Sequence, residues 1–151
     1  MKKLNESDKN ELLGRALKDG ENYKAKVWGC LMANAKTIML FGAIGGAFSG
    51  AAGALSNEYC YVGLTDSKLV FIVMRTMDCS QVKGAFEIPF SNIDRVKVKK
   101  SLIPGRHVLK IYRGKDSLKL SLVTNTIGTD LKNQKEGVEA ILTDMRRRYT
   151  K

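Results

Sequence analysis

Apolar and polar positions alternate most clearly between Tyr59 and Lys100, and this stretch organises the reading of the whole chain. Two apolar runs, Tyr59–Leu64 and Leu69–Met74, flank the polar tetrapeptide Thr65-Asp66-Ser67-Lys68. Valines, aromatics and an isoleucine suit a pleated, half-buried surface, so the pattern predicts a β-hairpin. Phe86–Pro89 reads as the next strand, followed by a turn at Ser91-Asn92 and a strand over Ile93–Lys100. There Val96 and Val98 alternate with Arg95, Lys97 and Lys99, which predicts one buried and one basic face. The stretch Arg75–Gly84 between them reads as a polar loop.

The same alternation extends to both sides. Tyr23–Met32 predicts an earlier strand that becomes apolar on both faces from Trp28 onward, with Trp28 filling core. His107–Tyr112 predicts a strand with Leu109 and Ile111 facing in. Arg113–Asp116 forms a hairpin loop around Gly114. Ser117–Val123 then places Leu118, Leu120 and Leu122 inward and Ser117, Lys119 and Ser121 outward.

Helical spacing marks the two ends. Ser7–Leu17 carries Leu12, Leu13, Ala16 and Leu17 on one stripe, with Ser7 or Asp8 as cap and Gly20 as stop. A second helix is expected from about Asp130 to Tyr149, capped by Thr129 or Asp130. Its stripe is Leu131, Val138, Ile141, Leu142, Met145 and Tyr149. Arg146, Arg147 and Arg148 suit the negative end of its dipole. Seven short strands and one closing helix predict a mainly β fold, a small barrel plugged by a helix.

One segment breaks the pattern. Thr37–Asn57 contains no charged residue, and Gly42, Gly46 and Gly50 recur every four positions. Small residues at that spacing let backbones approach closely on a helix. Three readings compete. The segment packs on the domain or on a second copy, dips into a membrane interface, or spans a bilayer. Phe41, Gly42, Ile44, Gly46, Phe48 and Gly50 are the candidate membrane or self-contact residues. Spanning would place Tyr23–Met32 opposite every later strand, and glycine costs a helix roughly 1 kcal/mol each against alanine. Packing or an oligomer contact therefore leads, then interfacial dipping. The segment is too apolar and too long for a free loop.

Composition sharpens one point. The chain has 151 residues, one domain's length, and 26 basic against 15 acidic residues give a formal charge of +11. Such a charge draws the chain to anionic partners or simply keeps it soluble. The outward residues Arg95, Lys97, Lys99, Lys110 and Lys119, with Lys100 and Arg106 nearby, are the candidate anion-binding surface. Cys30, Cys60 and Cys79 form no CxxC pair and suggest free thiols in a reducing cytoplasm. The start MKKLNESDKNELL has no apolar run typical of a signal peptide.

Catalytic chemistry finds no carrier. His107 is the sole histidine, and no HExxH, P-loop or EF-hand pattern occurs, so no enzyme, metal site or cofactor is expected. Nucleic acid is disfavoured because the basic face is read as lacking aromatic stacking platforms.

Leu64-Thr65-Asp66-Ser67-Lys68-Leu69-Val70 and Ile88-Pro89-Phe90-Ser91-Asn92-Ile93, with Arg95-Val96-Lys97-Val98 behind them, resemble the bacterial pleckstrin-homology-like (PH-like) domains. The family has an "lTdkRLi" hairpin before an "IpysdI-svkv" strand pair. The resemblance covers about Tyr23 to Tyr149 if the Gly/Ala-rich stretch is an insertion after the first strand. It implies two orthogonal antiparallel sheets with a C-terminal capping helix. On that reading, 1–20 is an N-terminal helix and 21–151 the PH-like domain, with 37–57 inserted. It also implies a non-catalytic adaptor at an anionic membrane surface or an acidic protein, with homo-oligomerisation in some members. The alternative is a soluble protein-interaction domain that binds no lipid. A cytoplasmic protein, peripheral to the inner face of the membrane, is the matching location. The lipid-reading lysine/arginine motif of eukaryotic members sits at the first hairpin loop. Here that place holds the uncharged segment, flanked by Lys24, Lys26 and Lys36, so phosphoinositide recognition does not carry over.

Overall fold

In the computed structural model of the chain, the described residues are 5–17, 20–32, 57–74, 82–100, 105–124, 131 and 133–149. Strands β1 (Ala25–Met32), β2 (Asn57–Leu64), β3 (Lys68–Met74), β4 (Val82–Pro89), β5 (Arg95–Lys100), β6 (Arg106–Arg113) and β7 (Asp116–Val123) form one antiparallel sheet. Its spatial order is β4-β3-β2-β1-β7-β6-β5. Helices α1 (Glu6–Arg15) and α2 (Gln134–Tyr149) flank the strands in sequence. Six connections of the sheet are antiparallel ladders, and β1 joins the first four strands to the last three.

The expected hairpin forms because Thr65 organises its turn. The Thr65 hydroxyl accepts from the Ser67 and Lys68 amides at 3.2 and 3.1 Å, and the Thr65 amide donates to the Lys68 carbonyl at 3.0 Å. Strand β4 starts earlier than the alternation predicts. Val82 and Gly84 pair with Met74 and Val73 across a register shift, so ladder bonds extend the strand into a stretch read as loop.

Alternate residues of all seven strands converge on one core with α2. Val27, Val62, Phe71, Phe86, Leu109 and Leu120 meet Val138, Ile141 and Met145 there. Phe71 and Phe86 are register partners whose rings stack at 4.6 Å. The opposite face of β2 and β3 supplies a second core, in which Tyr61, Val70, Ile72 and Met74 pack against Leu13 of α1. Strand β3 is therefore buried along its whole length.

The first helix is capped by Asn5 rather than Ser7 or Asp8. The Asn5 side-chain oxygen accepts from the Asp8 amide at 2.8 Å, and its NH2 donates to the Asp8 carboxylate at 3.0 Å. That satisfies an amide the first turn leaves open. Two tyrosines tether the helix to the sheet. The Asn5 amide donates to Tyr61 Oη at 3.1 Å, and Tyr23 Oη donates to the Leu13 carbonyl at 2.6 Å. Tyr23 lies outside β1 and its ring covers Gly63, where any Cβ would overlap it.

The second helix begins at Gln134, not Asp130. Asn133 sits in the left-handed region at φ 58°, which separates Leu131 from the helical spiral. Leu131 is buried in the α1-side core and leaves the predicted stripe, whereas Val138, Ile141, Leu142 and Met145 keep it. Gln134 marks the place where β7 stops running beside β1. Its NH2 donates to the carbonyls of Trp28 and Val123 at 3.0 and 2.7 Å, and its oxygen accepts from the Trp28 amide at 3.1 Å. At the other end, Tyr149 Oη donates to the Phe90 carbonyl at 3.0 Å.

Several sequence-based expectations lie outside the described residues: the segment 37–56, the loop 75–81 with Cys79, the turn 101–104 and the helix-cap candidates 129–130.

Candidate anion-binding face

Register decides which basic side chains share a face. Lys97 pairs with Lys110, and Lys110 pairs with Lys119, so three lysines stand side by side in register across β5, β6 and β7. With neighbouring strands about 4.8 Å apart, the row spans about 10 Å. Arg95 and Lys99 lie two positions to either side of Lys97 and are exposed, as are Lys97 and Lys119. Arg106 alternates onto the same face of β6, where its Nε donates to Ser121 Oγ at 2.6 Å. Lys100 is exposed but lies in phase with Val96 and Val98, as the register partner of His107, and does not join the row.

The face has one aromatic that the sequence reading left out. Tyr112 is the register partner of Arg95, and the guanidinium carbon lies 3.8 Å from its ring centroid. Lys110 Nζ lies 5.1 Å from the same centroid. The signal was present, since inward Leu109 and Ile111 force Lys110 and Tyr112 outward together. Contrary to the expectation from sequence, an aromatic does interleave with the basic residues of this face. Desolvation pushes the Tyr112 phenol up, but Lys110 at its hydroxyl, with the charges of Arg95 and Lys97, outweighs it and brings the group below its ordinary 10.0.

Among the described residues no carboxylate forms an ion pair with Arg95, Lys97, Lys99, Lys110 or Lys119. Several acids are engaged elsewhere. Asp94 accepts from the Gly114 amide. Asp144 is buried in α2 and pairs with Arg147 and Arg148 at 2.8 and 2.6 Å and with Lys24 at 3.7 Å. Two of the three terminal arginines thus serve a local carboxylate. Lys68, read as a turn residue, is buried between Glu21 at 3.1 Å and Glu87.

Other chemistry is sparse. A groove of about 460 Å³ beside α2 is lined by Lys24, Leu64, Glu136, Glu139, Ala140, Thr143, Asp144 and Arg147, of which Lys24 and Arg147 pair with Asp144. Cys30 and Cys60 are free, with Cys60 in the core. Among the described residues no group of three or more His, Cys, Asp or Glu side chains gathers for a metal. Among them, too, no helix is long and apolar enough to cross a membrane. The candidate contact residues Phe41, Gly42, Ile44, Gly46, Phe48 and Gly50 lie outside the described residues.

No protein-family model and no curated protein matches the chain.

Proposed function

We propose that this chain is a non-catalytic PH-like adaptor module that docks its β5–β7 face on an anionic surface, with the membrane leaflet as the leading partner. The observation that carries the reading is the row Lys97–Lys110–Lys119. Like charges placed directly opposite each other cost a sheet stability. Scattered lysines would keep the chain soluble without that cost, whereas an opposing anionic surface turns it into attraction. Each lysine near an anionic leaflet is worth about 1 kcal/mol.

The PH-like part of the proposal is supported by the seven antiparallel strands, by β1 bridging the two halves of the sheet, and by a C-terminal helix in the common core. It accounts for why all seven strands share one core. Nucleic acid remains the weaker alternative. One tyrosine, with a ring face already covered by Arg95, offers no run of stacking surfaces. The segment 37–57 would add an apolar contact, to a second copy or to lipid, as its composition suggests.

Sedimentation with anionic and neutral vesicles tests the reading. Binding should be restricted to anionic vesicles, weaken as salt rises, and fall sharply in Lys97→Glu/Lys110→Glu. Equal retention of that variant would return the face to solubility.

A further inference from the structure

We infer that Arg95, Lys97, Lys110 and Tyr112 form a phosphomonoester-binding subsite within the basic face. This rests on the anionic-docking reading and names the ligand chemistry of the same face. The place is on β5 and β6, away from the first hairpin loop.

The centre of the subsite is the Tyr112 hydroxyl. Its neighbours are cations: Arg95 is stacked 3.8 Å from the ring, Lys110 lies 5.1 Å from the ring centroid, and Lys97 is the register partner of Lys110. Ammonium and guanidinium groups donate hydrogen bonds and accept none. The phenol proton therefore has no acceptor among these cations and can be donated to an incoming oxyanion. The same neighbours lower the phenol's pKa, which makes the O–H a stronger donor.

Stoichiometry then selects the ligand. A phosphomonoester carries a charge of about −1.5 to −2 and three strong acceptor oxygens. The Tyr112 O–H, two ammonium groups and the Arg95 guanidinium are four donor groups with three positive charges, which three acceptor oxygens and a charge near −2 answer more fully than any singly charged ligand. A phosphodiester has one charge and two free oxygens, and leaves part of the cluster unanswered. Arg95 is held by its stacking on Tyr112, so less of its freedom is lost on binding. A lipid headgroup and a soluble phosphate share this chemistry.

The test compares phosphatidic acid vesicles with phosphatidylglycerol vesicles matched in surface potential, together with NMR titration by inorganic phosphate. Wild type should bind the phosphatidic acid vesicles about fivefold more tightly, the scale of one added hydrogen bond. Tyr112→Phe keeps the ring under Arg95 and should lose that preference while retaining phosphatidylglycerol binding. Lys119→Gln, a charge control, should weaken both lipids alike. Equal binding of the two lipids by wild type, or a preference that survives Tyr112→Phe, overturns the subsite and leaves charge-only docking standing. Saturable movement of the Tyr112 resonances by phosphate with no vesicle binding supports the subsite with a soluble source and removes membrane docking. No response to vesicles or phosphate removes both.

Discussion

Gln134 performs at the residue scale a task that backbone usually performs. Where the β1–β7 ladder ends at the Gly29–Leu122 pair, the Gln134 amide satisfies the carbonyls of Trp28 and Val123 and the amide of Trp28. Gln134→Ala strands those groups, and each buried orphan costs about 1–3 kcal/mol. Urea unfolding should show a loss in that range or above it; a loss of a few tenths would mean that other donors replace the glutamine. Nothing in the sequence marks Gln134, because its partners lie 106 and 11 positions away. Lys68 was hidden for a similar reason, since Glu87 reaches it only after β3 and β4 pair. Burial also sets a pH response. Burial first, then the charges of Glu87 and Glu21, raise the Tyr23 phenol above its ordinary 10.0. Burial, with Cys30 adding to it, raises the Cys60 thiol above its ordinary 9.0. The folded chain keeps these protons longer than the unfolded chain does. Their stabilisation is complete below the unfolded values and is lost as pH climbs from those values through the folded ones. Melting temperatures taken from about pH 8 to about pH 11 should fall, and Cys60→Ala should delay the onset of the fall.

Elements reveal themselves through periodicity but dock through exceptions to it. The stripe Val138, Ile141, Leu142 and Met145 was legible, and all four residues are buried. Ile141→Ala should cost about 2–5 kcal/mol by denaturant unfolding. The helix start was not legible, because the left-handed Asn133 breaks the spiral between two apolar positions of suitable spacing. Two helical glycines separate propensity from packing. At Gly14 an added Cβ meets nothing within 4 Å, so Gly14→Ala should stabilise by about 0.5–1 kcal/mol through helix propensity. At Gly137 the added Cβ would lie 2.5 Å from Val27 Cγ1 and 3.2 Å from the Lys26 carbonyl oxygen. Val27 is fully buried and cannot yield, so Gly137→Ala should destabilise by about 1–3 kcal/mol despite the same propensity gain. Thermal melts of the two variants should move in opposite directions.

At the scale of the whole molecule, the two sides of the sheet divide the work. One side of all seven strands meets α2, while on the other side α1 covers β1–β3 and contacts none of β5–β7 in the same way. Among the described residues, the β5–β7 outer face is thereby left mainly to the basic residues. Alternation alone disclosed that face, since Val96 and Val98 fixed the outward set. Register added what alternation lacks: that Lys97, Lys110 and Lys119 align in one row, that Lys100 falls out of it, and that Tyr112 sits beside Arg95. The most direct measurement of the central claim is sedimentation of the full chain with phosphatidylserine-containing vesicles, comparing wild type with Lys97→Glu/Lys110→Glu. The variant should stay folded by circular dichroism and lose most of the vesicle-bound fraction. A variant that binds as well as wild type would contradict docking through the β5–β7 face.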